Sequence, residues 1–185
     1  MTVHHTEGIK YAGSKKALIP QILALVDRTG ARTVFDAFSG TTRVSQALAR
    51  SGHHVIANDL AVWSRTFAVC YLQNTRDDQY FQALIDHLNA LPGVDGWFTE
   101  NYGGGSSNGS SVQPDGLKRP WQVHNTRKLD AIRPEIDRLG LPDCEKCVLL
   151  TSLILALDEV DSTLGHFVSY LKDWSPRSGR SMMLR

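Results

Sequence analysis

The chain is poor in the features that settle a protein's class from composition. It has three cysteines in 185 residues, Cys70, Cys144 and Cys147, too few for a disulfide framework. Cys144 and Cys147 make a lone CxxC with no second pair. A structural zinc site wants four ligands, so the two thiols are read as neighbours on one helical turn, and no metal is expected. The formal net charge is +1. A global basic field for nucleic acid is therefore excluded, and any such surface has to be a local patch. No apolar run approaches the ~20 residues that span a bilayer, and no signal peptide leads the chain. A cytoplasmic protein with no membrane partner is expected. The sequence also lacks a GxGxxG turn, which weakens the case for a dinucleotide.

What is present is organised around residues 33–59, TVFDAFSGTTRVSQALARSGHHVIAND. Val34 and Phe35 sit in a short apolar run that ends at Asp36. A turn of small residues follows, Ala37-Phe38-Ser39-Gly40-Thr41. Val44, Leu48 and the alanines then repeat at helical spacing, and a second apolar run, Val55-Ile56-Ala57, ends in Asn58-Asp59. Strand, tight turn, helix, strand and acid make the opening βαβ unit of a doubly wound nucleotide-binding fold. A glycine turn lets backbone N–H groups approach a ligand closely, and the positive end of the next helix faces the same crevice. Asp59 follows the turn at about 20 residues, where a ribose-binding acid is expected. Asp36 would repel a pyrophosphate and attract an ammonium group. That favours S-adenosylmethionine over a dinucleotide, and it disfavours a dinucleotide-dependent oxidoreductase. An ordinary βαβ unit without a ligand is the plainer alternative.

Before this unit, residues 1–8 are polar, and the pair His4-His5 is read as solvated rather than metal-binding. Ile9-Lys10-Tyr11-Ala12-Gly13-Ser14-Lys15-Lys16 follows. Ser14 suits a helix cap, with Leu18, Ile19, Ile22, Leu25 and Val26 as the apolar stripe. Tyr11 is placed to stack on a purine and Lys15 to pair with a carboxylate; otherwise they belong to an exposed helix start.

Three blocks now stand in order: Lys10-Tyr11-Ala12-Gly13-Ser14-Lys15, Asp36-Ala37-Phe38-Ser39-Gly40 and Asn58-Asp59. Together they resemble the alpha-class adenine-N6 DNA methyltransferases, the group that includes the Dam-like enzymes, in which K-[YW]-x-G-x-K precedes D-x-F-x-G and then N-D. The resemblance implies S-adenosylmethionine contacts by Tyr11, Ala12, Lys15, Asp36, Phe38, Gly40 and Asp59. The motif neighbours Gly13, Ser39, Thr41 and Leu60 complete the expected set. Asp59 would hold the ribose, and Lys15 would meet the methionine carboxylate.

Residues 61–74 read as a helix carrying Trp63, Phe67, Cys70 and Tyr71. This stripe is read as core, with Trp63 placed to flank an adenine. Asp77 or Asp78 suits the cap of a helix through Phe81, Leu84, Ile85, Leu88 and Leu91, stopped by Pro92-Gly93. Residues 103–111, GGGSSNGSS, cannot build a core. The segment 103–116 is expected to be a flexible loop, native or inserted. Around it lie Trp97, Phe98, Tyr102, Lys118, Arg119 and Trp121. Interleaved basic and aromatic residues suit phosphate contact and base stacking, and the alternative is a surface loop anchored by Trp121. The family likeness puts a target-recognition insertion here, so Lys118, Arg119, Trp121 and Arg127 are the expected DNA-binding residues. Asn125 suits the cap of a helix with Leu129, Ile132 and Ile136. Arg127, Lys128 and Arg133 lie along it, facing phosphates or solvent. A strongly apolar helix follows within 141–157. Gly165-His166-Phe167 and Lys172 with Trp174 also resemble the family's helical target region.

The family builds its amine-acceptor site from a [DNS]-P-P-[YFW] tetrad, with the target base flipped out against the aromatic. Pro20, Pro92, Pro114, Pro120, Pro134, Pro142 and Pro176 are each followed by some other residue, so the tetrad is absent. The expected fold is α/β, a Rossmann-like methyltransferase fold with an incomplete sheet and a mainly helical target-recognition insertion. Residues 1–75 form its cofactor-binding part, 76–175 the target-recognition region and 176–185 a basic tail. The expected activity is that of the cofactor- and DNA-binding portion of a site-specific enzyme of restriction–modification type, inactive alone. The chain is expected to be a truncated piece or one half of a split enzyme. Its partners are double-stranded DNA and, in the split case, a second chain carrying the tetrad. A non-catalytic S-adenosylmethionine or nucleic-acid binding module is the alternative.

Overall fold

The structure is a computed structural model that describes residues 5–105, 109–165 and 169–185. It divides into two compact units, Met1–Asn74 and Thr75–Arg185. Among the described residues no helix is long and apolar enough to cross a membrane.

In the first unit a 3-10 turn at Lys16–Leu18 leads into α1 (Ile19–Thr29). Ser14 Oγ accepts from the Lys16 N–H at 3.4 Å, so it serves the short turn. The α-helix itself starts at Ile19 without a side-chain cap and with Pro20 in its first turn, where a missing N–H costs nothing. Then come β1 (Thr33–Asp36), α2 (Arg43–Arg50), β2 (His54–Ala57) and α3 (Val62–Gln73). The strands pair in parallel, Thr33 opposite His54 through Asp36 opposite Ala57, with α2 in the connection between them. Alternate side chains of a strand point to opposite faces. Val34 and Val55 pack on Ile19, Leu23, Ala47 and Leu48, the buried core of this unit. Phe35 and its register partner Ile56 point the other way and stay 61% and 48% exposed.

In the second unit α4 (Asp78–Ala90) is capped by Asp77, whose carboxylate accepts from the Tyr80 N–H at 3.0 Å. It is followed by α5 (Trp97–Tyr102), β3 (Gly103–Gly104), β4 (Trp121–Gln122), α6 (Val123–Arg138) and α7 (Asp143–Glu159). Phe81, Ile85 and Leu88 of α4 meet Leu129, Ile132 and Ile136 of α6 and Leu149 and Leu153 of α7 in a buried core. Cys144 and Cys147 lie within α7.

Three sequence-based expectations need correction here. The borders of the Gly/Ser-rich segment are built into the fold. Gly103–Gly104 pairs in parallel with Trp121–Gln122. A Cβ on Gly103 would come within 2.6 Å of Thr126 Oγ1 and 2.7 Å of the Thr99 carbonyl, so the glycine permits this close approach. Ser111 is fully buried, and its N–H donates to the Lys172 carbonyl at 2.9 Å. Ser106, Ser107 and Asn108 lie outside the described residues, as do His4, His166 and Phe167. Asn125 does not cap a helix: α6 begins at Val123, and Asn125 is buried in its first turn. Its amide holds the end of the chain, accepting from the Met182 N–H at 2.8 Å and donating to the Arg180 carbonyl at 2.9 Å. Residues 176–185 are accordingly no separate tail. Met182 and Leu184 are buried in the core of the unit, and Asn89 pairs with the Leu184 backbone through both its amide groups, at 2.9 and 3.0 Å.

Candidate functional site

The first unit has a cavity of about 540 Å³ at the carboxyl ends of β1 and β2. Tyr11, Gly13 and Lys15 come to it from the segment before α1. Asp36, Phe38, Ser39, Gly40 and Thr41 come from the turn after β1, and Asp59 from the end of β2. Sequence reasoning named all of these. Ser14, Ile22, Arg43 and Val44 also line it and were missed. Ile22 and Val44 carry no signal beyond an apolar stripe, and Arg43 none beyond its place in the first turn of α2. Ala12 and Leu60 are not among the lining residues, and Leu60 is fully exposed.

The local sequence explains the turn. Gly40 has φ 50° and Thr42 has φ 59°. The first is ordinary for glycine. The second is an outlier for a β-branched residue and is held by its surroundings. Thr42 is fully buried, and its hydroxyl donates to the Thr41 carbonyl at 2.8 Å and accepts from Gln46 Nε2 at 3.1 Å. Backbone bonds stitch the two strand ends together: the Asn58 N–H donates to the Asp36 carbonyl and the Ser39 N–H to the Asn58 carbonyl, both at 2.9 Å.

Asp59 is the hub of this stitching. Oδ2 accepts from the Gly40 N–H at 2.8 Å and Oδ1 from the Ala61 N–H at 3.0 Å. Those two backbone donors, Ala61 first and then Gly40, hold its carboxyl below the usual carboxylate range. The Leu60 N–H and the Ser64 side chain lie against the same carboxylate and add to this lowering. Asp36 is oriented by Ser45, whose hydroxyl donates to Oδ2 at 2.6 Å. Lys15 folds back so that Nζ donates to the Gly13 carbonyl at 2.8 Å, leaving two of its three donors. Arg43 ties the N-terminal segment to this wall, its guanidinium donating to the Thr6 and Gly8 carbonyls. Tyr11 packs edge-on to Trp63 at 5.8 Å, and Trp63 to Phe67 at 5.8 Å.

The four residues expected to face DNA do not stay together. Lys118 and Arg119 share a smaller cavity in the second unit. Lys118 is exposed and donates from Nζ to the Tyr170 carbonyl at 3.3 Å, while Arg119 pairs with Asp115 at 2.6 Å. Trp121 goes to the core instead. Its indole N–H donates to the Leu157 carbonyl at 3.0 Å, and its ring packs against the buried cluster. Arg127 holds Asp95 in a two-pronged pair at 2.6 and 3.1 Å. Lys128 donates to the Asn89 and Leu91 carbonyls at the end of α4, and Arg133 pairs with Asp137.

A model of the D12 class N6 adenine-specific DNA methyltransferases matches residues 11–183. The chain belongs to this family. It is 28% identical over 194 aligned positions to the Modification methylase StsI of Streptococcus sanguinis. That alignment covers 96% of this chain and 28% of the relative, so the chain spans little more than a quarter of the protein it matches. No solved structure matches it. The span matched to the D12 class begins at Tyr11, on the wall of the cavity, and takes in helices of both units.

Proposed function

We propose that this chain is the S-adenosylmethionine-binding and DNA-recognition part of a site-specific adenine-N6 DNA methyltransferase. The observation that carries the reading is the 540 Å³ cavity, which gathers Tyr11, Lys15, Asp36, the Gly40 turn and Asp59 at the strand ends. The donor set fits the cofactor. Asp36 offers negative charge to its cationic methionine end, Lys15 a cation to its carboxylate, and Asp59 acceptors to its ribose hydroxyls. Tyr11 offers its ring to the purine from the cavity wall. Bound there, S-adenosylmethionine supplies an electrophilic methyl group. This chain's residues bind and orient that group; Lys118 and Arg119 serve phosphates of the duplex.

The acceptor half of the chemistry needs a group that hydrogen-bonds the target adenine's amine. The family places it on a [DNS]-P-P-[YFW] tetrad, which this sequence lacks. The chain therefore does not transfer methyl groups by itself. A polypeptide bearing the tetrad extends a Rossmann-like sheet at its unpaired edges and covers Phe35 and Ile56, since parallel sheets are normally covered on both faces. The same absence favours a second reading, a binding module without catalysis; adding a tetrad-bearing polypeptide separates the two, because only the first gains activity.

The test is calorimetric titration with S-adenosylhomocysteine and, separately, NAD. One saturable site for the former and none for the latter is expected. The reverse pattern would return the chain to the dinucleotide class.

A further inference from the structure

The second unit contains a cavity of about 370 Å³ between the end of α5 and the chain around residues 116–120. Its volume lies at the small end of the range for small-ligand sites. Asn101, Tyr102, Lys118, Arg119 and Tyr170 line it. We propose that it holds one unstacked nucleotide of a DNA strand, the base against the tyrosine rings and the phosphate at Lys118 and Arg119. This rests on the DNA-recognition reading above and adds a nucleotide site separate from the cofactor cavity, whose lining residues are all in the first unit.

Three observations support it. First, the aromatic wall is rigid. Tyr102 packs edge-on to Trp97 at 5.5 Å and to Trp121 at 6.3 Å, and Trp121 is tied to the Leu157 carbonyl. A ring held this way stacks on a base with little loss of entropy, and stacking tolerates every base because each has a π-face. Second, the two phenols are donors in waiting. Among the described residues neither the Tyr102 nor the Tyr170 hydroxyl has a hydrogen-bond partner. A phenol is protonated at neutral pH, and burial, then the neighbouring Tyr102, push the Tyr170 hydroxyl further above its ordinary value. Third, the cations sit at the same cavity. The Lys118 ammonium spends one donor on the Tyr170 carbonyl and keeps two. Arg119 is positioned by its pair with Asp115, the carboxylate that an incoming phosphate has to displace or stand beside.

The experiment uses the full chain and a duplex oligonucleotide carrying 5-iodouracil, photo-cross-linked and mapped by mass spectrometry. Cross-links at Tyr102 or Tyr170 are expected. Tyr170→Ala should weaken DNA binding about 5- to 150-fold, the range of one lost stacking contact, and Tyr170→Phe should keep most of the affinity. S-adenosylhomocysteine affinity should be unchanged in both. Cross-links confined to other residues, or unaltered DNA affinity in a folded Tyr170→Ala variant, would overturn the inference. So would a loss seen with Lys118→Ala but not with Tyr170→Ala, since that marks a phosphate contact without a base. The absence of any DNA binding at low salt overturns the inference together with the DNA half of the proposed function. A failure of S-adenosylhomocysteine to bind strikes the cofactor half alone.

Discussion

The two units of this chain solve the problem of burial differently. In Thr75–Arg185 three helices close on one another, and the last residues of the chain plug the core with Met182 and Leu184. In Met1–Asn74 a parallel strand pair is packed on one face by α1 and α2, and the other face keeps Phe35 and Ile56 largely exposed. The first unit also carries its outlier backbone, at Thr42, beside its cavity. A helical unit satisfies its backbone internally and can close alone; a two-stranded parallel sheet has unpaired edges and a bare face. The D12-class chain thus joins a self-sufficient region to one whose surface invites completion.

The largest test of this contrast is Ile132→Ala. Ile132 is fully buried in the helical core, so truncation should cost about 2–5 kcal/mol of unfolding free energy, read by urea denaturation. A cost near zero would break the picture of a closed core. Next comes Asp59→Ala, which removes the acceptor for the Gly40 and Ala61 N–H groups. It should weaken S-adenosylhomocysteine binding by about 1–3 kcal/mol, measured by calorimetry, while leaving the helical unit's core intact. Unchanged affinity would remove Asp59 from the site.

In a pH titration the helical unit contributes through Glu135. Arg138, and then His87, hold the Glu135 carboxyl down at about 2, from 4.5. A group lowered on folding stabilises the fold above its unfolded value and loses that contribution as pH falls through the folded one. Stability should therefore decline between pH 4.5 and about 2, and Glu135→Gln should flatten that part of the profile. An unflattened profile assigns the acid sensitivity to other carboxylates. The smallest effect is expected from Phe35→Ser, within about 0.5 kcal/mol as for an exposed site. A large loss of stability in this chain by itself would show that the face is already covered.

How much of this was legible in the sequence follows the range of the contacts. Strand, turn, helix and strand over residues 33–59 were readable because period and turn chemistry are local, and the cavity-lining turn came with them. The acid at Asp59 was readable from its spacing. Long-range pairings were not. Asn125 looks like a cap, yet it grips residues 53 to 57 positions away. Arg127 looks like a phosphate ligand until Asp95, 32 positions away, takes it. Gly103 looks like linker, but the close approach of Thr126 Oγ1 and the Thr99 carbonyl requires it. Trp121 was read in both its senses, and its bond to the Leu157 carbonyl, 36 positions away, is not visible in the sequence. In each case the side chain's chemistry was plain and its partner was not.

On the proposed reading this chain holds a methyl-donor site without an acceptor site. The most direct measurement follows methyl-labelled S-adenosylmethionine with the purified chain and adenine-containing duplex DNA, counting bound label and label transferred to DNA in one sample. The expected result is saturable binding of the cofactor with no label in the DNA. Label in the DNA that survives removal of trace contaminants, or no retained cofactor at all, would contradict it.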